Sequence, residues 1–159
     1  MTKTVTTKEA SMSYKPDNYA QLTPCLAVRN GAKAVDFYQK AFGFKILDDV
    51  VKDEKGDVQY ATLKLRDSTI MIFPEGAFGF VTKAPVTLGV PSPISLYIYI
   101  PDVDNFYTQA VGAGAKTILE PHDAFWGDRF CKVMDPDGHE WGFATYNEQA
   151  HAQHKHEKK

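Results

Sequence analysis

The residues best equipped for chemistry gather around one stretch, FWGDRFCKVMDPDGHEWGF, residues 125–143. Two strand-like runs, Arg129–Met134 and His139–Thr145, flank Asp135-Pro136-Asp137-Gly138. Proline second and glycine fourth in such a tetrapeptide suit a tight turn, so the segment reads as a hairpin. Its approach carries Trp126, Asp128 and Arg129. An indole offers a broad stacking surface, and a guanidinium can clasp a carboxylate or phosphate through two parallel hydrogen bonds. Asp128 is expected to orient Arg129 by an ion pair. The competing reading is structural, with Asp128 and Arg129 paired and Trp126 packed at a sheet edge.

Other chemistry is thinner. There is no GxSxG, no P-loop and no Rossmann glycine pattern, so neither an esterase-type nucleophile nor a phosphate loop is indicated. Cys25 and Cys131 sit in apolar strand-like runs without an activating neighbour and are expected as reduced core thiols. His151, His154 and His156 lie in the polar run NEQAHAQHKHEKK. That run is expected as a solvated, frayed tail over 147–159, with adventitious capture of Zn²⁺, Ni²⁺ or Cu²⁺ as the alternative.

The elements that must position these residues follow from spacing. After an arm over residues 1–20, residues 22–28 read as a strand. Asn30 caps a helix with Ala34, Tyr38, Ala41 and Phe42 on one face, and Gly43 ends it. Strands are expected at Phe44–Val51, Val58–Leu65 and Ser68–Phe73. A Pro- and Gly-rich connection fills 75–93. The pattern then begins again: a strand at Ile94–Ile100, a helix capped by Asp102, a strand at Ala115–Leu119 and the hairpin. VDFYQKAFGFK at 35–45 matches VDNFYTQAVGAGAK at 103–116, so the chain carries an internal duplication. The fold class is α+β, built of two βαβββ modules at 21–74 and 94–146 that must pack together to cover their sheets.

Composition sets outer bounds. A net charge of −2 with scattered Lys and Arg leaves no basic face for nucleic acid. Hydrophobic residues at 43% and charged residues at 24% suit a globular domain. The polar N-terminal stretch lacks the apolar core of a signal peptide, and no run approaches a membrane span. A cytoplasmic location without membrane or nucleic-acid partners is the expectation.

The duplicated modules, the helix text AVDFYQKAFGF and the hairpin DPDGHEW together resemble the vicinal oxygen chelate superfamily, which includes glyoxalase I, extradiol dioxygenases and bleomycin-resistance proteins. LTPCLAVRNGAKAVDFYQKAFGF with FWGDRFCKVMDPDGHEWGFAT is most similar to its PhnB-like branch. The resemblance spans residues 21–146. It implies that the two sheets line a shared half-barrel cavity, that the chain forms a homodimer, and that enzymes of the group hold a divalent metal on the first and last strands of each module.

Carried over on the helix text and the DPDG turn, the four metal positions fall on Thr23, Met71, Ser95 and Gly142. None offers the imidazole or carboxylate that Zn²⁺, Mg²⁺ or Fe²⁺ takes, and neighbouring positions supply none either. A metal site and a cofactor are therefore not expected. A substitute site around Glu140 and His122, with Asp123 and Asp128 nearby, is the alternative. Its competitor puts Glu140 at a solvated hairpin end, His122 on an exposed loop and His139 in a hairpin hydrogen bond.

With Ser95 turned inward, strand alternation turns Tyr97 and Tyr99 inward too, and Thr69, Met71 and Phe73 likewise. Leu96, Ile98, Trp141 and Phe143 then face the helices. The expected ligand contacts are Trp126, Asp128, Arg129, Tyr97, Tyr99, Phe73, Met71, Ser95 and Thr23. Together they suggest a metal-free protein that binds a small aromatic or amphipathic molecule. The alternatives are a metal-dependent lyase, isomerase or dioxygenase using a non-standard site, and an interaction module whose arm or tail meets a partner.

Overall fold

The computed structural model describes residues 13–157, with side chains through His154. The first twelve residues of the expected arm, the last two residues and the side chain of His156 lie outside the described residues. The elements run β1 (Cys25–Val28), α1 (Gly31–Phe42), β2 (Lys45–Ile46), β3 (Val51–Lys52), β4 (Val58–Leu65) and β5 (Ser68–Pro74). Then follow a one-turn α2 (Pro85–Leu88), β6 (Ser95–Tyr99), α3 (Val103–Gly112), β7 (Lys116–Asp123), β8 (Arg129–Met134), β9 (Glu140–Thr145) and α4 (Glu148–Glu157). Among the described residues one sheet has the order β1-β5-β4-β2, with β3 also on β4, and the other β6-β9-β8-β7. In each sheet the first strand lies parallel to the last one of its module.

The caps work as the residue types require. Asn30 Oδ1 accepts from the Lys33 backbone N–H at 2.9 Å, and Asp102 Oδ1 accepts from that of Asn105 at 3.1 Å. Gly43 takes φ 74° just past α1, a conformation that costs a glycine little.

Besides the first strand, which forms only from Cys25, and α2 within the expected connection, three stretches depart from the sequence reading. The expected strand Phe44–Val51 is broken into β2 and β3. Asp48 and Asp49 interrupt it, and the Asp48 carboxylate accepts from the Tyr19 hydroxyl. β7 runs on to Asp123 instead of stopping at Leu119, passing Pro121 by register shifts along the sheet edge, where a missing N–H is tolerated. His122 and Asp123 thus lie on a strand and not in a loop. The expected frayed tail is helical from Glu148, with Asn147 Oδ1 accepting from the Ala150 backbone N–H at 3.1 Å.

The modules share one core. Trp141, fully buried on β9, packs against Tyr38 and Phe42 of α1, with centroids 5.6 and 5.2 Å away. Phe42 also stacks on Phe106 of α3. The hairpin turn clasps this junction. Asp135, 4% exposed, accepts on Oδ2 from Tyr38 Oη at 2.6 Å and Trp141 Nε1 at 2.9 Å. Its Oδ1 accepts from the backbone N–H groups of Asp137 and His139, each at 3.0 Å. Arg29 reaches Asp137 Oδ1 at 2.9 Å, and His139 Nε2 donates to the Ala27 carbonyl at 2.7 Å.

This junction carries a prediction. Burial, and then the Asp135 carboxylate, push the Tyr38 phenol well above its ordinary value of 10.0. The folded state therefore keeps a proton that the unfolded chain releases. The stabilisation is complete below pH 10 and is lost as the pH rises beyond it, at up to about 1.4 kcal/mol per pH unit for one such group. Denaturant midpoints between pH 8 and 11 should fall less steeply in Tyr38→Phe than in the native chain. Parallel slopes would rule this out.

Candidate functional site

Alternation along the strands sorts the candidate residues as the pleat demands. On β6, Leu96 and Ile98 pack on the core while Ser95, Tyr97 and Tyr99 are exposed. On β5, Ile70 and Ile72 are buried under the helices. Thr69, Met71 and Phe73 take the other face, with Thr62 opposite Met71 in register. Residues 19–23, the end of the expected arm and the start of the expected strand 22–28, cover part of that face. The Ala20 N–H donates to Thr69 Oγ1 at 3.1 Å, Thr23 and Thr69 hydroxyls pair at 2.6 Å, and Thr62 pairs with Tyr60 at 2.5 Å. Thr62 and Thr69 are buried in consequence. Thr23, Met71 and Phe73 thus belong to a hydroxyl- and aromatic-rich face of the first sheet, and Ser95, Tyr97 and Tyr99 to an open face of the second.

The second face is organised by Asp128. A tight turn joins β7 to β8, closed by Ala124 N–H to Asp128 O at 2.8 Å and Gly127 N–H to Ala124 O at 2.9 Å. It turns Trp126 and Asp128 over the exposed ends of β6. Asp128 Oδ2 accepts from Tyr97 Oη at 2.6 Å, Tyr99 Oη at 2.9 Å and Trp126 Nε1 at 3.0 Å. Oδ1 accepts from His151 Nε2 at 2.7 Å. The carboxylate side chain has no exposed surface. Burial acts to raise its pKa, but the hydrogen bonds from Tyr97, His151, Tyr99 and Trp126 outweigh that and hold it below 3.8. Burial and the neighbouring carboxylate raise both phenols above 10.0, so each stays a protonated donor. Phe130 backs Tyr97, the rings parallel to within 7° at 5.4 Å.

Trp126, Asp128, Tyr97 and Tyr99 therefore come together, and Arg129 does not join them. The expected Asp128–Arg129 pair is absent because consecutive residues entering a strand point to opposite faces. Arg129 turns to the helix side, bonding Asp104 of α3 at 2.9 and 3.1 Å and Asp123 at 3.4 Å. Asp104 holds the guanidinium pKa up, and Arg129 holds the Asp104 carboxylate down. The residue the sequence reading missed is His151. α4 lacks the apolar stripe that marks a packed helix, and its backbone approaches through Gly127, where a Cβ would lie 2.7 Å from His151 N.

The four positions carried over from the metalloenzymes do not suit a metal. Thr23 is tied to Thr69. Met71 Sδ lies 3.8 Å from Cys25 Sγ, and Cys25 is exposed, not the core thiol expected of it. Cys131 is buried, and burial pushes its thiol up to about 11. Gly142 sits opposite Tyr97 in register, and a Cβ there would meet Phe130 Cε2 at 2.8 Å and Tyr97 Cδ2 at 3.2 Å. The space a ligating side chain needs is filled by two rings.

The substitute residues are engaged elsewhere. Glu140 pairs with Lys132 at 2.5 Å, and His122 Nδ1 bonds the Glu120 carbonyl at 2.8 Å. Among the described residues no three His, Cys, Asp or Glu side chains form a group that could hold a metal ion. A hollow of about 360 Å³, lined by Arg66, Ile100, Thr145 and Tyr146, adjoins the organised face at Tyr99. No helix among the described residues is long and apolar enough to cross a membrane.

Comparison with known proteins accords with this architecture. The chain is similar to Uncharacterized protein Mb0911c of Mycobacterium bovis, 34% identical over 122 residues, which covers 76% of this chain and 79% of that one. It is similar in structure to TioX from Micromonospora sp. ML1, with 26% identity, a TM-score of 0.63, and coverage of 79% of this chain and 98% of that one. A bleomycin-binding protein complexed with bleomycin shares the fold at 22% identity and a TM-score of 0.56, over 80% of this chain and 98% of that one. The family profile described as Glyoxalase/Bleomycin resistance protein/Dioxygenase superfamily matches residues 18–143. With its two sheets, its duplicated modules and its hairpin junction, this chain belongs to that superfamily.

Proposed function

We propose that this protein, a member of the PhnB-like branch, binds a small aromatic or amphipathic molecule without the metal that enzymes of the superfamily use. The observation that carries the reading is the exposed aromatic face on β6, where Tyr97, Tyr99 and Trp126 are fixed on one buried carboxylate. A site of this kind offers stacking surface with few, fixed polar groups. Locking each ring by a hydrogen bond lowers the ordering cost of capture. Ser95, Tyr97 and Tyr99 are exposed in the single chain, and a second copy in a homodimer is the natural cover that turns such a face into a cavity wall. Thr23, Met71 and Phe73, at the open face of the first sheet, are then the matching wall that the dimer would bring opposite. The likeness to the bleomycin-binding protein is one of fold.

A thermal-shift screen of small aromatic molecules tests the reading, since a ligand selective for the folded state raises Tm by mass action. Trp126→Ala should weaken any hit at least tenfold, a loss of about 1.4 kcal/mol or more, with little change in the ligand-free Tm. Arg129→Ala, on the helix side, should leave affinity within twofold. The opposite ranking would place the ligand elsewhere, and a dimer should appear by light scattering at the same protein concentration.

A further inference from the structure

The two oxygens of Asp128 have different clients. Oδ2 is used by the framework: Tyr97 and Tyr99 from β6 and Trp126 from the turn before β8. Among the described residues Oδ1 accepts from His151 alone. His151 belongs to α4, which begins at Glu148, beyond the residues 18–143 matched by the family profile. Among the described residues α4 adds to this the close backbone approach at Gly127 and two ring contacts. His151 packs its ring on Tyr146, and His154 meets the edge of Phe125, which is 77% exposed. None of the helix's residues through His154 joins the shared core. An imidazole N–H thus lies on the free oxygen of a carboxylate flanked by Tyr97, Tyr99 and Trp126, a setting that attracts a flat cation by charge, hydrogen bonding and the faces of the rings.

We propose that Oδ1 of Asp128 is a subsite for the cationic nitrogen of an aromatic ligand, an amidine, guanidine or protonated aromatic amine, and that His151 fills it as a built-in competitor. This rests on reading the β6 face as a ligand wall. Ligand entry requires α4 to give up one hydrogen bond. The helix then sets a threshold: a molecule must offer Asp128 a better donor than the imidazole it displaces. A neutral aromatic molecule could still stack on Tyr97 and Trp126 but gains nothing at Oδ1.

Benzamidine and its neutral isostere benzamide are suitable probes, titrated calorimetrically into the full chain and its variants. His151→Ala should bind benzamidine at least tenfold more tightly than the native chain. Benzamide should change less than twofold, and His151→Ala combined with Asp128→Asn should lose the gain. On the native chain, benzamidine at saturation should move the His151 Nε2 nitrogen-15 resonance, and benzamide should not. This readout serves if the variants fold poorly. Equal gains for both probes would overturn the cationic subsite while leaving the face a ligand wall. An unchanged benzamidine affinity in His151→Ala would overturn the competitor role. If neither probe binds any form, the wall reading falls together with the subsite.

Discussion

Asp135→Ala should cost roughly 3–5 kcal/mol, a large part of the stability of a domain this size. Pro136 and Gly138 would remain, so the loss does not lie in the backbone preferences of the turn. It comes from four donors left without an acceptor: Tyr38 Oη, Trp141 Nε1 and the backbone N–H groups of Asp137 and His139. Tyr38 and Trp141 are 1% and 0% exposed, so water cannot replace the carboxylate without opening the junction between the modules. Asp135→Asn should fall between, because an amide can accept on one side only and presents its NH₂ to the other pair. Urea unfolding followed by tryptophan fluorescence measures both, with the slope m unchanged if only the folded state is weakened. A loss below 1 kcal/mol in the alanine variant would mean that the donors re-pair locally and that the modules are joined by packing alone.

That carboxylate also marks how far the sequence could be read. The DPDG text is legible as a turn because turn chemistry is local. The acceptance of Tyr38, 97 residues earlier, has no local trace. Helices α1 and α3 were legible from their caps and apolar spacing, and the core-facing sets of β5, β6 and β9 from strict alternation. What failed were elements decided at edges. Asp48 and Asp49 break an edge strand that apolar content alone would extend, and β7 slides past Pro121 where no neighbour demands its N–H.

The site was half legible for similar reasons. Residue types singled out Trp126 and Asp128, and alternation brought Tyr97 and Tyr99 to the same face. The pairing of Asp128 with Arg129 assumed that neighbours in sequence face each other, which a strand forbids. α4 has no period to detect: His151 and the close approach at Gly127 place it, beside the ring contacts of His151 and His154. Gly127 was its only trace, a glycine that permits another backbone to come close.

Gly142→Glu, which places a carboxylate at the last carried-over metal position, should destabilise the protein and recruit no metal. The Cβ alone collides with Phe130 Cε2 at 2.8 Å and crowds Tyr97 Cδ2 at 3.2 Å. Gly142 lies on β9 between β6 and β8, where the backbone has no freedom to retreat. Overpacking of this sort costs about 1–3 kcal/mol for the first carbon, and the remaining carboxylate must either lie between stacked rings or push them apart. Glutamate at 142 would also stand near Glu140, on the same face of β9, which already takes the ammonium of Lys132. If the rings part, Tyr97 loses its place on Asp128, so ligand affinity should fall along with Tm. Gly142→Ala separates the causes: it carries the steric clash without the charge and should show part of the Tm loss. Metal content per chain after incubation with Zn²⁺, Mn²⁺ or Fe²⁺ should equal that of the native protein treated alike, a comparison that cancels whatever the C-terminal histidines bind. One additional equivalent in Gly142→Glu would show that the rings are a removable plug over a latent metal site and that the aromatic face is not the ligand wall.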